Sequence, residues 1–142
     1  MPATIRVSNG SGGSRYARHT LVPEAGEARL GSHQARRAGR DYLRQEIRRR
    51  IEAGPVWSTL ELQLAGSGDN ADGPRSQWPG SRERVGAGRL EITEPETVAE
   101  RDCEVLVFDP ARVTDGIELS DDPVLRFRPR ADSESLARRT SS

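Results

Sequence analysis

The sequence predicts an α+β domain, and three observations carry that expectation. First, residues 3–8 alternate, with Ile5 and Val7 on one face and Arg6 and Ser8 on the other, which is the period of a strand. Asn9-Gly10-Ser11-Gly12-Gly13 then turns the chain, because Asn and Gly tolerate positive φ. Residues 14–22 read as the return strand, stopped by Pro23 and Gly26, so the opening predicts a β-hairpin. Second, Leu43, Ile47 and Ile51 recur every four residues and form one apolar stripe. Asp41 is a plausible N-cap and Gly54-Pro55 the stop, so a main helix is expected over about 41–53, with Ser32 capping a short turn before it. Third, residues 56–65 alternate, Val56, Leu60, Leu62 and Leu64 against Trp57, Thr59, Glu61 and Gln63, as a half-buried strand does.

The remaining stretches read less sharply. Residues 66–87 form a polar loop with Trp78-Pro79 in its middle, and Leu90 and Ile92 mark a short strand. Residues 105–108 are apolar and are broken by Asp109-Pro110. The stretch 121–139 opens with Asp121-Asp122-Pro123, an N-cap followed by proline at an early helical position. Val124, Leu125, Phe127, Ala131 and Leu136 allow a helix there, which Pro129 would bend. No internal repeat is visible.

Composition bounds the function. The 142 residues fit one domain, and 22 basic and 22 acidic residues give a formal net charge of zero. Only 33% of the chain is hydrophobic, so a modest core with long polar loops is expected. Every basic residue is arginine, which reads as the codon bias of a GC-rich genome. The longest apolar run, 105–108, cannot span a membrane, and residues 1–9 hold no apolar segment of signal-peptide length, so a cytoplasmic location is expected. Cys103 is the single cysteine, which excludes an internal disulfide framework and a CxxC zinc site. The balanced charge argues against polyanion binding by the chain as a whole.

Charge is nevertheless uneven. Residues 34–53 hold seven arginines against Asp41, Glu46 and Glu52, while residues 91–122 hold eleven acids against Arg101 and Arg112. A solvated helix face beside an acidic loop explains this; docking onto an acidic partner or nucleic acid is the alternative. His19 and His33 have no metal spacing, and the glycines at 10, 12 and 13 lack the Gly-Lys-Ser/Thr that cradles phosphate. Asp69, Asn70 and Asp72 lack the glutamate of an EF-hand, which leaves them as loop residues. Periodicity and spacing stop at a small α+β domain.

A longer series of residues goes further. Phe108-Asp109-Pro110, Gly116-Ile117-Glu118 and Asp122-Pro123-Val124-Leu125, running on to Arg128, resemble the heme-proximal segment of the heme catalases, and most of all their small branch, the catalase-related peroxidases. Upstream, Arg15-Tyr16, Leu21-Val22-Pro23-Glu24-Ala25-Gly26, Gly54-Pro55, Leu62-Gln63-Leu64-Ala65, Gly68-Asp69, Trp78-Pro79, Val85 and Gly88-Arg89-Leu90 agree in order and spacing, over about residues 3–139. The resemblance implies the second half of a catalase-type antiparallel β-barrel. It would carry one main helix at about 41–53 and a C-terminal helical proximal-heme segment, and the chain would be a single partial domain whose N-terminal half is absent. It also implies heme b, iron-dependent oxidoreductase chemistry on hydrogen peroxide, and a part in the oxidative stress response.

The same resemblance places site residues. Phe108 and Pro110 match residues that pack under the porphyrin, Arg128 the arginine that keeps the axial phenol ionised, and Arg139 a propionate contact. Trp78 matches a loop tryptophan that packs. The axial position itself, where the family has tyrosine, is Asp132, and Arg128 and Asp132 at i, i+4 could form an ion pair instead. The distal histidine has no counterpart, so no catalytic residue is expected in this chain. Three readings follow: one half of a peroxidase working with a separately encoded N-terminal half, a non-enzymatic remnant without heme, or an arginine-rich interaction module. Half a barrel also implies an open edge near residues 3–8 or 88–94, and self-association through it. No nucleic-acid or membrane partner is expected.

Overall fold

The structure, a computed structural model, describes residues 3–95 and 108–140, the last two by their backbone alone. Cys103 and most of the apolar run 105–108 lie outside the described residues. The elements are β1 (Thr4–Ser8), β2 (Ser14–Pro23), α1 (Ser32–Arg37), α2 (Tyr42–Ala53), β3 (Val56–Leu64), β4 (Arg84–Ile92), β5 (Ile117–Leu119) and α3 (Pro123–Thr140). The strands form one five-stranded sheet in the order β4-β3-β2-β1-β5, open at both ends. Among the described residues no helix is long and apolar enough to cross a membrane.

The hairpin forms as its turn residues dictate. Asn9 Oδ1 accepts from the amides of Ser11 at 3.1 Å and Gly13 at 2.8 Å, and Gly12 takes φ 82°. That turn sets the register, Thr4 opposite Arg18 and Ser8 opposite Ser14. The far side of β1 is covered by β5, with Ile5 opposite Leu119 and Val7 opposite Ile117. The expected open edge at residues 3–8 is therefore closed by a strand too short for its periodicity to show. The edge at β4 is open, and it is a nine-residue strand rather than the short one expected around Leu90 and Ile92. Its Val-Gly-Ala-Gly stretch carries little apolar signal.

The described residues fall into two compact units. One holds the described residues up to Thr20, Leu62–Val85 and those from Phe108 on; the other holds Leu21–Glu61 and the described residues from Gly86. Every buried described residue lies in the first unit: Ala17, Ala71, Trp78 and Leu125 with Thr4, Arg18, Ser120 and Asp122. A core this polar persists only if each polar group is paired, and the pairing is described below. In the second unit α2 keeps the bounds expected of it, but none of its residues is buried, and Leu43 of the predicted stripe is 66% exposed. Helical periodicity tells which face is apolar, not that anything covers it.

Candidate functional site

α3 starts where its sequence says it should. Asp122 Oδ1 accepts from the amides of Val124 at 2.8 Å and Leu125 at 3.3 Å, and Pro123 occupies the first helical position. Arg126 ties the helix to the preceding strand through the carbonyl oxygen of Ser120 at 2.9 Å. Pro129 lies inside the helix and offers no N–H, so the Leu125 carbonyl lacks its usual donor. Leu125, Pro129, Asp132 and Leu136 recur at helical spacing and are the buried or half-buried residues of the element.

Asp132 is thus on the packed stripe. Its Oδ2 is shielded from solvent and has no hydrogen-bond donor, and the Arg128 Nε stands 3.9 Å from it. The i, i+4 pairing anticipated from the sequence is present, at the long end of ion-pair range. The remaining expected site residues are Phe108, Pro110 and Arg139. Phe108 is 81% exposed, Pro110 is half-buried, and the side chain of Arg139 lies outside the described residues. An open groove of about 710 Å³ runs along α3, lined by Phe127, Arg130, Ala131, Glu134, Ser135 and Arg138. At about 100° per residue Phe127, Arg130, Glu134 and Arg138 lie on the far side of the helix from Asp132, with Ala131 and Ser135 between.

The best-built polar cluster of the first unit surrounds Arg18, which sequence reading missed. Arg18 is 7% exposed. Its Nε donates to Thr4 Oγ1 at 3.0 Å, and its terminal nitrogens donate to the carbonyl and hydroxyl oxygens of Ser76 at 2.7 and 2.8 Å. The guanidinium carbon sits 4.1 Å from the centre of the Trp78 ring, whose Nε1 donates to the Asn70 carbonyl at 3.1 Å. Burial lowers the Arg18 pKa, and the charges of Asp69 and Asp122 oppose that shift. These bonds hold the 70–78 loop against β1 and β2.

Next to it, Asp69 accepts from Arg82 Nε at 2.8 Å and from the Gly66 amide at 2.8 Å. A Cβ at position 66 would lie 2.6 Å from the Arg82 guanidinium, so glycine is required for the two to close over the turn. Asp72 accepts from the Asp121 amide at 2.8 Å, and Asn70 Oδ1 from those of Asp72 and Gly73. These loop residues, expected to be solvated, instead accept hydrogen bonds from within the fold. The Arg82 hydrogen bond, then the Gly66 amide, hold the Asp69 carboxyl below its usual range. The unfolded chain therefore takes up this proton at higher pH than the folded one. The stabilisation is complete above the ordinary carboxylate value and drains away as pH falls toward the folded one. Asp69→Asn should lower the urea midpoint at pH 7, and by progressively less as the pH falls below the ordinary carboxylate value. A loss that stays constant across that titration would show that the charge is not what matters.

In the second unit, Glu24 accepts from Arg89 at 2.5 and 2.6 Å in a two-point fork, and Arg89 lies 3.9 Å from the centre of the Trp57 ring. The Arg89 hydrogen bond keeps the Glu24 carboxyl below its usual range. Both residues sit in segments quoted above as family landmarks, and their contact gives those landmarks a structural reason.

The fold that these elements build is also found in solved catalases. Over 94% of this chain, the fold matches a bacterial catalase with a TM-score of 0.77 at 16% identity, and a fungal catalase with 0.74 at 23%. Catalase A from Saccharomyces cerevisiae matches with a TM-score of 0.75 at 23% identity; the chain covers 28–30% of these three. No family model matches the chain. In sequence it is similar to the catalase-related peroxidase of Mycolicibacterium paratuberculosis (strain ATCC BAA-968 / K-10), 44% identical over 129 residues, and to that of Synechococcus elongatus (strain ATCC 33912 / PCC 7942 / FACHB-805), 33% identical over 136. These matches take in 91% and 96% of this chain but only 41% and 40% of the two relatives. The resemblance read from the proximal series is borne out; the chain spans about two fifths of the length of the curated relatives it matches.

Proposed function

We propose that this chain supplies one part of a catalase-like peroxidase fold, acts on hydrogen peroxide only together with the remainder of that fold, and is catalytically silent by itself. The observation that carries the reading is the likeness to catalase-related peroxidases along nearly the whole chain, set against the share of those proteins it spans. A protein supplying the remainder is the partner this reading calls for. Heterolysis of the peroxide bond needs a positioned group that moves a proton between its oxygens. The two histidines of this chain are exposed, His19 on β2 and His33 on α1, and neither lies in a built cluster.

Heme b, which the resemblance implies, does not fit the residues present at its expected site. The residue that the resemblance assigns to the iron is Asp132, and the Arg128 Nε stands 3.9 Å from its carboxylate on the same helix. A carboxylate already countered by a guanidinium is a weaker donor to ferric iron than an ionised phenol. Phe108, expected under the porphyrin, is largely exposed.

The purified chain, with and without one equivalent of hemin, should evolve oxygen from hydrogen peroxide no faster than free hemin does. A rate well above free hemin, from this chain alone, would refute the reading.

A further inference from the structure

Arginine, the only basic side chain here besides histidine, is used in two ways. In much of the chain its guanidiniums are engaged: Arg6 with Glu118, Arg15 with Glu83, Arg82 with Asp69, Arg89 with Glu24, Arg126 with Asp121, and Arg138 with Glu134. Segment 29–50 differs. It holds eight arginines against Asp41 and Glu46. Arg49 and Arg50 pair with Glu46. Arg29, Arg36, Arg37, Arg40, Arg44 and Arg48 are exposed and have no carboxylate partner among the described residues. Like charges at i, i+4, such as Arg44 and Arg48 on α2, cost helix stability unless something neutralises them.

Apolar surface lies beside these cations. Leu43 is 66% and Leu30 45% exposed, while Ile47 and Ile51 are half-buried. At helical spacing Leu43, Ile47 and Ile51 form a strip directly flanked by Arg44 and Arg48. The geometry points to a docking surface on α1 and α2 for an acidic amphipathic protein segment, its apolar side on Leu43 and Ile47 and its carboxylates over Arg44 and Arg48. A guanidinium meets a carboxylate in a two-point fork, which suits unpaired arginines in a row. Among the described acids, Asp109, Glu118 and Asp121 already pair with Arg112, Arg6 and Arg126. A nucleic acid would meet the arginines but leave the apolar strip bare, and Tyr42 alone could stack on its bases. A bilayer needs a broader apolar face than three aliphatic side chains in a twelve-residue helix.

The test uses a labelled synthetic helical peptide with glutamates at i, i+4 flanking a leucine stripe, titrated with the whole chain and read by fluorescence anisotropy. A DNA duplex and phosphatidylglycerol vesicles form the other two arms. Saturable peptide binding is expected, weakened about tenfold by Arg44→Glu with Arg48→Glu and roughly fivefold by Leu43→Ser. The side chains are exposed, so circular dichroism should report an unchanged fold. Absence of peptide binding, tighter binding of DNA or vesicles, or indifference to Leu43→Ser would each overturn the proposal.

Discussion

Arg18→Ala should destabilise the protein by about 3–5 kcal/mol, measured by urea unfolding at neutral pH. Three losses add. The substitution empties the volume of a long side chain in the most enclosed part of the sheet. It removes the donor to Thr4 Oγ1, on a residue 1% exposed that sits directly across the strand pair. It also releases Trp78 and the 70–78 loop, whose hydrogen bonds to Asn70 and Ser76 were organised around the cation. Domains of this size are stable by only about 5–15 kcal/mol, so the loss is a large fraction of the whole. Arg18→Lys keeps the charge but cannot reach Thr4 and both oxygens of Ser76 with one ammonium, so it should recover less than half. Full recovery by lysine would show that charge, not the fork, holds the loop.

The second large effect is a gain. Asp132→Tyr places a phenol at the axial position implied by the resemblance, with Arg128 one turn away to favour its ionised form. If the packed stripe of α3 retains a proximal surface, hemin affinity should rise by at least about tenfold and tyrosinate-type charge-transfer bands should appear. Asp132→Tyr combined with Arg128→Ala should lose part of that gain, because the phenolate then lacks its countercharge. Equal weak binding by all three proteins would mean that α3 offers iron no surface, leaving the likeness to peroxidases one of fold and ancestry.

Local periodicity made much of this structure legible in advance. The hairpin, α2, β3 and the capped start of α3 all follow from residues close in sequence: Asn9 and Gly12 in a turn, Leu43, Ile47 and Ile51 on one face, Asp122 before Pro123. β5 is three residues long, too short for any period to register. β4 is glycine-rich and exposed nearly throughout, so no apolar alternation marked it. The same limit governs the sites. Arg128 and Asp132 are four residues apart, a spacing that brings them together on any helix. Arg18 meets Thr4 across the hairpin, as the register dictates, but its other partner, Ser76, is 58 residues away and nothing local announces it. The family resemblance came from a spaced series of short landmarks, a signal that needs no contact to be read.

The pairing of β1 with β5 also has a consequence in time. Arg6 and Glu118, which meet across that pair, are 112 residues apart. At translation rates of about 5–20 residues per second, roughly 5–20 s separate the synthesis of the two strands. β2 can zip onto β1 almost as soon as both leave the ribosome, but the opposite flank of β1 stays bare until β5 has emerged. During that interval a nascent neighbour on the same polysome can take the place reserved for β5. The three residues of β5 and the Arg6–Glu118 bridge act as a late latch, and the yield of properly folded chain depends on how soon they arrive.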